Sequence, residues 1–251
     1  DENHGKVIDI DNDGDMDVIV YASPADYSNS DNLYLFTNNS TTGNMSFSVS
    51  TLMTTSYKYE GCIDIADFNM DGFMDIALPT SYGGIRIYIN NQSGSFGTEG
   101  DHDANLSVPN WGRVQTCRVA DINEDGKPDI LFAGEFHNGT SWVSQICYSE
   151  NTTTGTTLSM GAVQNLSTTL DRYTNSIEVI DMNADNLTDI VYFSGYYLYG
   201  WNNTNTASGT ASFASTQTIL TYSSWGGYFN GGISVVDINS DGKTDMLVGG
   251  W

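Results

Sequence analysis

One acidic motif recurs five times along the chain, and a repeat of that kind constrains folding more than any local feature. The segments read VIDIDNDGDMDVIV from Val7, IADFNMDGFMDIAL from Ile65, VADINEDGKPDILF from Val119, VIDMNADNLTDIVY from Val179 and VVDINSDGKTDMLV from Val235. The first Asp of each loop falls at 9, 67, 121, 181 and 237, giving steps of 58, 54, 60 and 56 residues. Chance does not produce five such matches at so even a spacing.

Each acidic loop lies between two short apolar runs with β-branched residues, the pattern of two strands joined by a structured turn. A third strand follows and ends in an Asn-rich turn: NLYLFTNN from Asn32, GIRIYINN from Gly84, SQICYSEN from Ser144 and YLYGWNN from Tyr197. An aromatic restart at Phe47, Phe96 or Phe213 is expected to open a fourth strand. Four short antiparallel strands per repeat predict an all-β fold, a β-propeller of about five four-stranded blades within a single domain spanning 1–251. A β-sandwich is the rival, but it gives no reason to repeat one loop five times. The chain ends one strand past the fifth loop, so the fifth blade is expected to be incomplete, its missing strands supplied by further sequence or by a neighbouring molecule.

Within each loop the pattern is D-x-[DN]-x-D-G-x-x-D. Side chains at positions one, three, five and nine offer hard oxygen ligands, and the position-seven carbonyl offers another; Ca²⁺ takes six to eight oxygens in flexible geometry. The expected ligand sets are Asp9, Asp11, Asp13, Asp15 and Asp17; Asp67, Asn69, Asp71, Phe73 and Asp75; Asp121, Asn123, Asp125, Lys127 and Asp129; Asp181, Asn183, Asp185, Leu187 and Asp189; and Asp237, Asn239, Asp241, Lys243 and Asp245, with the position-seven residue acting through its backbone. Gly at position six permits a left-handed backbone, and Asn186, which replaces it in the fourth loop, is the next most tolerant residue there. An EF-hand needs a Glu at position twelve, where this chain has Val20, Leu78, Phe132, Tyr192 and Val248. About five Ca²⁺ ions, one per repeat, are expected.

The charge balance agrees. The chain carries 31 Asp+Glu against 8 Lys+Arg, a net charge of −23, and 18 of the acidic residues lie in the five loops. Carboxylates about 4 Å apart repel by about 1 kcal/mol even in water, so a turn crowded with them calls for a cation. The same balance argues against nucleic acid and anionic membranes, which need clustered cations. No apolar run reaches the roughly 18 residues that span a bilayer, and no signal peptide is visible. Cys62, Cys117 and Cys147 are too few and too unevenly placed for a disulfide framework or a zinc site, and buried thiols are expected, at least one of them unpaired. Ten Asn-x-Ser/Thr sequons, Asn38, Asn91, Asn138 and Asn151 among them, fit a cell-surface setting in which the chain is a glycoprotein.

These loops resemble those of the FG-GAP/VCBS repeat family, the calcium-loop propeller blades of integrin α-subunit heads, certain fungal lectins and many microbial surface proteins. The resemblance runs from near residue 7 to the end, although the Phe-Gly element survives literally only at Phe96-Gly97. It implies that the loop joins the first two strands of each blade and binds Ca²⁺. It also implies an extracellular or cell-surface protein active in adhesion or sugar binding, without naming a partner.

Strand order places the acidic loops on one face of such a ring. The opposite connections are aromatic at Tyr57, Tyr59, Trp111, Tyr173, Trp225 and Tyr228, with Arg113 and Arg172 beside them and Tyr27, Tyr82, Phe136, Trp142 and Tyr196 in the neighbouring connections. Tyr and Trp combine a flat apolar face with a polar handle, which suits carbohydrate or a surface protein, and equally suits packing between blades. Catalysis finds no support: His4, His102 and His137 lie in unrelated segments, and nearly every paired carboxylate is claimed by a loop. The expected functions are therefore a surface recognition module, a structural subunit of a filament or surface layer that self-associates through the open blade, or an accessory domain of a polysaccharide-active enzyme.

Overall fold

The computed structural model describes residues 5–22, 31–55, 62–80, 84–92, 94–96, 104–107, 112–167, 170, 174, 176–206, 211–221 and 232–249. Among them are 18 β-strands and no helix. Repeat 1 contains β1 (Gly5–Ile8), β2 (Asp17–Ala22), β3 (Asp31–Asn38) and β4 (Phe47–Thr55). Repeat 2 contains β5 (Asp64–Ala66), β6 (Asp75–Thr80), β7 (Gly84–Tyr88) and β8 (Ala104–Ser107). Repeat 3 contains β9 (Gly112–Ala120), β10 (Asp129–His137), β11 (Trp142–Ser149) and β12 (Gln164–Asn165). Repeat 4 contains β13 (Ile177–Ile180), β14 (Asp189–Ser194), β15 (Tyr197–Trp201) and β16 (Gln217–Thr221), and repeat 5 contains β17 (Ile233–Val236) and β18 (Asp245–Val248).

Each of the first four repeats is one four-stranded sheet with its strands in chain order, and repeat 5 is a two-stranded sheet. Among the described residues every strand pairing is antiparallel, as short connections between successive strands require. In all five repeats the acidic loop joins the first strand to the second, as expected from the sequence.

Side chains alternate across a strand, so a sheet covered on both faces must be apolar at every position. The second strands show this directly. In β14, Ile190 and Tyr192 pack toward repeat 3, while Val191 and Phe193 pack toward repeat 5. In β10, Leu131 and Ala133 face repeat 4, while Ile130 and Phe132 face repeat 2. In β2 only alternate residues are buried, and the apolar ones, Ile19 and Tyr21, meet Ile76, Leu78 and Tyr88 of repeat 2. Four apolar layers thus join successive sheets.

Two expectations need correction. Phe96 and Phe213 do not open the fourth strands of repeats 2 and 4. They form single bridges to Asn90 and Asn203 and pack onto the inter-sheet cores, and β8 and β16 begin further along the chain. Nor are all three cysteines free thiols: Cys62 and Cys117 form a disulfide with a Cα–Cα distance of 5.8 Å. Their separation of 55 residues is close to one repeat, which places Cys62 just before β5 and Cys117 on β9 at nearly equivalent points of adjacent repeats. Cys147 is free and buried in the same core, where desolvation pushes its thiol up to about 12.

Polar contacts also run between first strands. Lys6, Asp64, Arg118 and Glu178 each stand three residues before their loop's first Asp. Lys6 Nζ lies 2.8 Å from Asp64 Oδ1, and Arg118 Nε donates to Glu178 Oε2 at 2.9 Å. The second oxygen of Asp64 accepts the Val119 N–H at 2.8 Å. Arg118 therefore has a structural role, linking repeats 3 and 4. Among the described residues no helix is long and apolar enough to cross a membrane.

Candidate metal centre

The five acidic loops adopt one conformation. The first Asp accepts two backbone N–H groups, from positions five and six: Asp13 and Gly14 to Asp9, Asp71 and Gly72 to Asp67, Asp125 and Gly126 to Asp121, Asp185 and Asn186 to Asp181, Asp241 and Gly242 to Asp237, all at 2.8–3.2 Å. The position-three oxygen of Asp11, Asn69, Asn123, Asn183 or Asn239 accepts the position-five N–H as well. The position-five Oδ1 accepts the N–H of the position-seven residue, Asp15, Phe73, Lys127, Leu187 or Lys243.

Tight winding needs two left-handed residues per loop. Position six has positive φ in every loop, from 66° at Asn186 to 95° at Gly14, so Asn186 does the work of glycine. Position four is also left-handed, at 60–62°, although it is occupied by Asn12, Met70, Glu124, Ala184 and Ser240. For Met and Ala this costs on the order of 1 kcal/mol, offset by the carboxylate–amide bonds around it. Nothing in so mixed a set of residues signals the conformation.

Position nine anchors the loop. Its Oδ2 accepts the position-two N–H in all five loops: Ile10 to Asp17, Phe68 to Asp75, Ile122 to Asp129, Met182 to Asp189 and Ile238 to Asp245. In repeats 1 to 4 its Oδ1 accepts the N–H of an Asn at the end of the third strand, Asn38, Asn90, Asn151 or Asn203. That Asn also locks neighbours together. The Nδ2 of Asn90, Asn151 and Asn203 donates to the position-two carbonyl of the preceding repeat, Ile10, Phe68 and Ile122 respectively, at 2.9–3.1 Å. Sequence reasoning noticed the Asn-rich turns but missed this role, because the number of residues from the position-nine Asp to the Asn changes with hairpin length.

The electrostatics make the loops uneasy as bare carboxylates. Burial pushes the Asp75 carboxyl up to about 7 and Asp129 up to about 6 against the opposing pull of backbone N–H donors, and it raises Asp189 as well. Asp11 is raised by desolvation and by the neighbouring charges of Asp13 and Asp17. A cation among these oxygens would reverse both effects.

The residues fit a hard cation. In loop 1, carboxylate oxygens of Asp9, Asp11 and Asp17 lie within 4.8 Å of one another, a spread that one ion with oxygen distances of about 2.3–2.6 Å can bridge. Loops 2 to 5 replace one carboxylate with the neutral oxygen of Asn at position three. There the Asn Nδ2 reaches the position-five carboxylate in loops 2, 4 and 5, and in loop 3 it reaches Glu150 at 3.1 Å. Lys127 Nζ, 3.2 Å from Asp125 Oδ2, supplies loop 3 with a positive charge of its own. Glu150, on the turn after β11, was not foreseen from the loop pattern.

The expected ligand surface is less complete. Tyr57, Tyr59, Trp111, Tyr173, Trp225 and Tyr228 lie outside the described residues, as do Tyr27, Tyr82 and Arg172. Arg113 is exposed on β9, and Trp142 and Tyr196 are exposed on the same edge of the sheets, whereas Phe136 is only 2% exposed and belongs to the core.

The family model for the FG-GAP-like repeat matches residues 9–78, 67–132 and 181–248, which together cover more than half of the chain. No curated protein matches. Among solved structures, the crystal structure of the V. cholerae biofilm matrix protein Bap1 is similar over 97% of this chain, with 18% identity and a TM-score of 0.45. The chain spans 34% of the length of that protein.

Proposed function

Because the chain belongs to the FG-GAP-like repeat family, we propose that it is an extracellular calcium-binding adhesion module, built as a β-propeller, that recognises carbohydrate or a surface protein through the face opposite its acidic loops. It acts by binding and not by catalysis. The observation that carries this reading is the fivefold identity of the loops: the same carboxylates accept the same N–H groups in every repeat, so five like sets of oxygens converge in the same way.

The Asp and Asn side chains at positions one, three, five and nine would hold the ion, which supplies positive charge where carboxylates converge. Five divalent ions would offset ten negative charges and leave about −13 of the −23. A loop present in every repeat serves the scaffold more than any single ligand. Its position-nine Asp reaches the Asn that grips the preceding sheet, so an ion that orders the loop also orders the junction between repeats.

Metal analysis and calorimetry with CaCl₂, followed by glycan-array and surface-binding assays on the calcium-loaded protein, test the two halves separately. Metal binding without any adhesion would leave only the scaffold reading. A second reading, a subunit of an extracellular filament or surface layer, is favoured by the way successive sheets stack through apolar layers, a packing that further copies can extend. Light scattering decides: concentration-dependent growth supports it, and a monomer at all concentrations opposes it.

A further inference from the structure

The second strand of every repeat starts at the position-nine Asp, so strand ends measure how far each sheet rises from the loop face. β14 has 6 residues and turns back at Gly195–Tyr196, whereas β10 has 9 and continues to His137. Three further residues add about 10 Å of strand. Repeat 3 thus carries a crest above repeat 4 on the edge opposite the acidic loops.

The crest is specifically built. A register shift between Ala133 and Gly134, with Gln115 as the extra residue, bends β9 against β10. A Cβ at Gly134 would meet the Arg113 carbonyl oxygen at 1.8 Å, and one at Gly112 would meet the Phe136 ring at 2.2 Å. Only glycine permits either approach. Asn138 Oδ1 accepts the N–H groups of Thr140 and Ser141 at 3.0 and 2.9 Å and closes the tip.

Its polar groups share one face. Glu135 stands opposite both Arg113 on β9 and Ser144 on β11, and His137 stands opposite Trp142. Trp142 and Ser144 share the side of β11 that carries Ile146 and Tyr148, which pack toward repeat 4. The Gly139 N–H donates to His137 Nδ1 at 3.1 Å, which leaves Nε2 as the nitrogen turned to a ligand. The His137 ring meets Trp142 edge-on, at 5.6 Å and 78°, and steadies an indole that is still 46% exposed. Ser144 Oγ, on a residue only 2% exposed, has no hydrogen-bond partner among the described residues. In the adjacent repeat, the exposed Tyr196 stands on the same edge.

We propose that the crest of repeat 3, formed by Trp142, His137, Glu135 and Arg113, binds an uncharged saccharide chain. A half-exposed indole held by a neighbouring ring offers a platform for the apolar face of a sugar. A carboxylate, a guanidinium and an imidazole within one strand pairing of each other offer acceptors and donors for its hydroxyls. A protein partner fits less well, because a stable interface needs about 800 Å² on each side around a well-packed apolar centre. Trp142 and Tyr196 are the two exposed aromatic residues of this edge among the described residues. A net charge of −23 disfavours polyanionic sugars.

The proposal rests on the recognition reading above, and the test separates the two. The calcium-loaded chain is titrated with neutral hexasaccharides (β-1,4-glucan, β-1,3-glucan, β-1,4-linked N-acetylglucosamine and mannan fragments), with the indole N–H resonances followed by NMR and affinity by calorimetry. The crest predicts that one of them shifts the Trp142 resonance, that Trp142→Ala weakens binding at least about tenfold, that Glu135→Gln weakens it about threefold or more, and that Trp142→Phe restores part of the loss. Unchanged melting of each variant keeps the comparison about binding. If a saccharide binds but Trp142→Ala binds equally well, the crest is wrong and recognition lies elsewhere. If none of the four binds, the crest site is overturned together with carbohydrate recognition by this chain.

Discussion

The two edges of the sheets obey different rules. Along the loop edge every repeat does the same thing, down to which oxygen accepts which N–H. Along the opposite edge the repeats diverge: repeat 4 closes in a tight turn at Gly195–Tyr196, while repeat 3 rises into a crest that two glycines make possible. Identity at one edge means a task shared by all repeats, namely holding each sheet against the next. Divergence at the other means that no common structural demand acts there, so chemistry specific to one repeat can be added without disturbing the array.

The sharpest way to break that comparison is to remove divalent ions. Each site with ligand at about a hundred times its dissociation constant adds about 2.7 kcal/mol, so five occupied sites acting together would dominate the stability. Chelation is expected to lower the melting midpoint by well over 10 °C by circular dichroism, with recovery on adding CaCl₂.

Next in size is the disulfide between repeats 2 and 3. It closes a loop of 55 residues, for which chain entropy gives about 4 kcal/mol. Cys62→Ser/Cys117→Ser should unfold at correspondingly lower denaturant. Cys147 should resist alkylation in the native protein and react only as it unfolds, because burial raises its thiol pKa.

Asp129→Ala should cost about 2–4 kcal/mol, since Ile122 N–H, Asn151 N–H and the Tyr148 hydroxyl all lose their acceptor. Asn151→Ala should cost about 1–3 kcal/mol by freeing the carbonyl of Phe68 in the neighbouring repeat. Denaturant titration measures both. At the opposite edge, Trp142→Ala should change stability by no more than about 0.5 kcal/mol, as for an exposed side chain away from the core. A large loss there would mean that the crest is part of the scaffold, and the contrast between edges would fail.

Much of the loop edge was legible in the sequence, because the loop residues depend on local spacing. Gly14, Gly72, Gly126 and Gly242 adopt the left-handed backbone anticipated for them, and Asn186 substitutes as its chemistry allows. The alternation of strands with turns gave four-stranded antiparallel sheets in chain order. What escaped was everything set between repeats. Asn90, Asn151 and Asn203 reach carbonyls some 80 residues away, and Cys62 meets Cys117, because the sheets stack and not because any local pattern requires it. Phe96 and Phe213 looked like the start of a strand and instead fill an inter-sheet core. The crest was hidden for a similar reason. Gly112 and Gly134 read as ordinary glycines until the close approach of β9 and β10 shows why a Cβ would not fit.

The most direct measurement is the metal content of the native protein, taken by elemental analysis and paired with melting before and after chelation. About five calcium ions per chain and a large, reversible fall in melting temperature are the predicted result. A protein that carries no calcium and melts identically in CaCl₂ and in EDTA would contradict it.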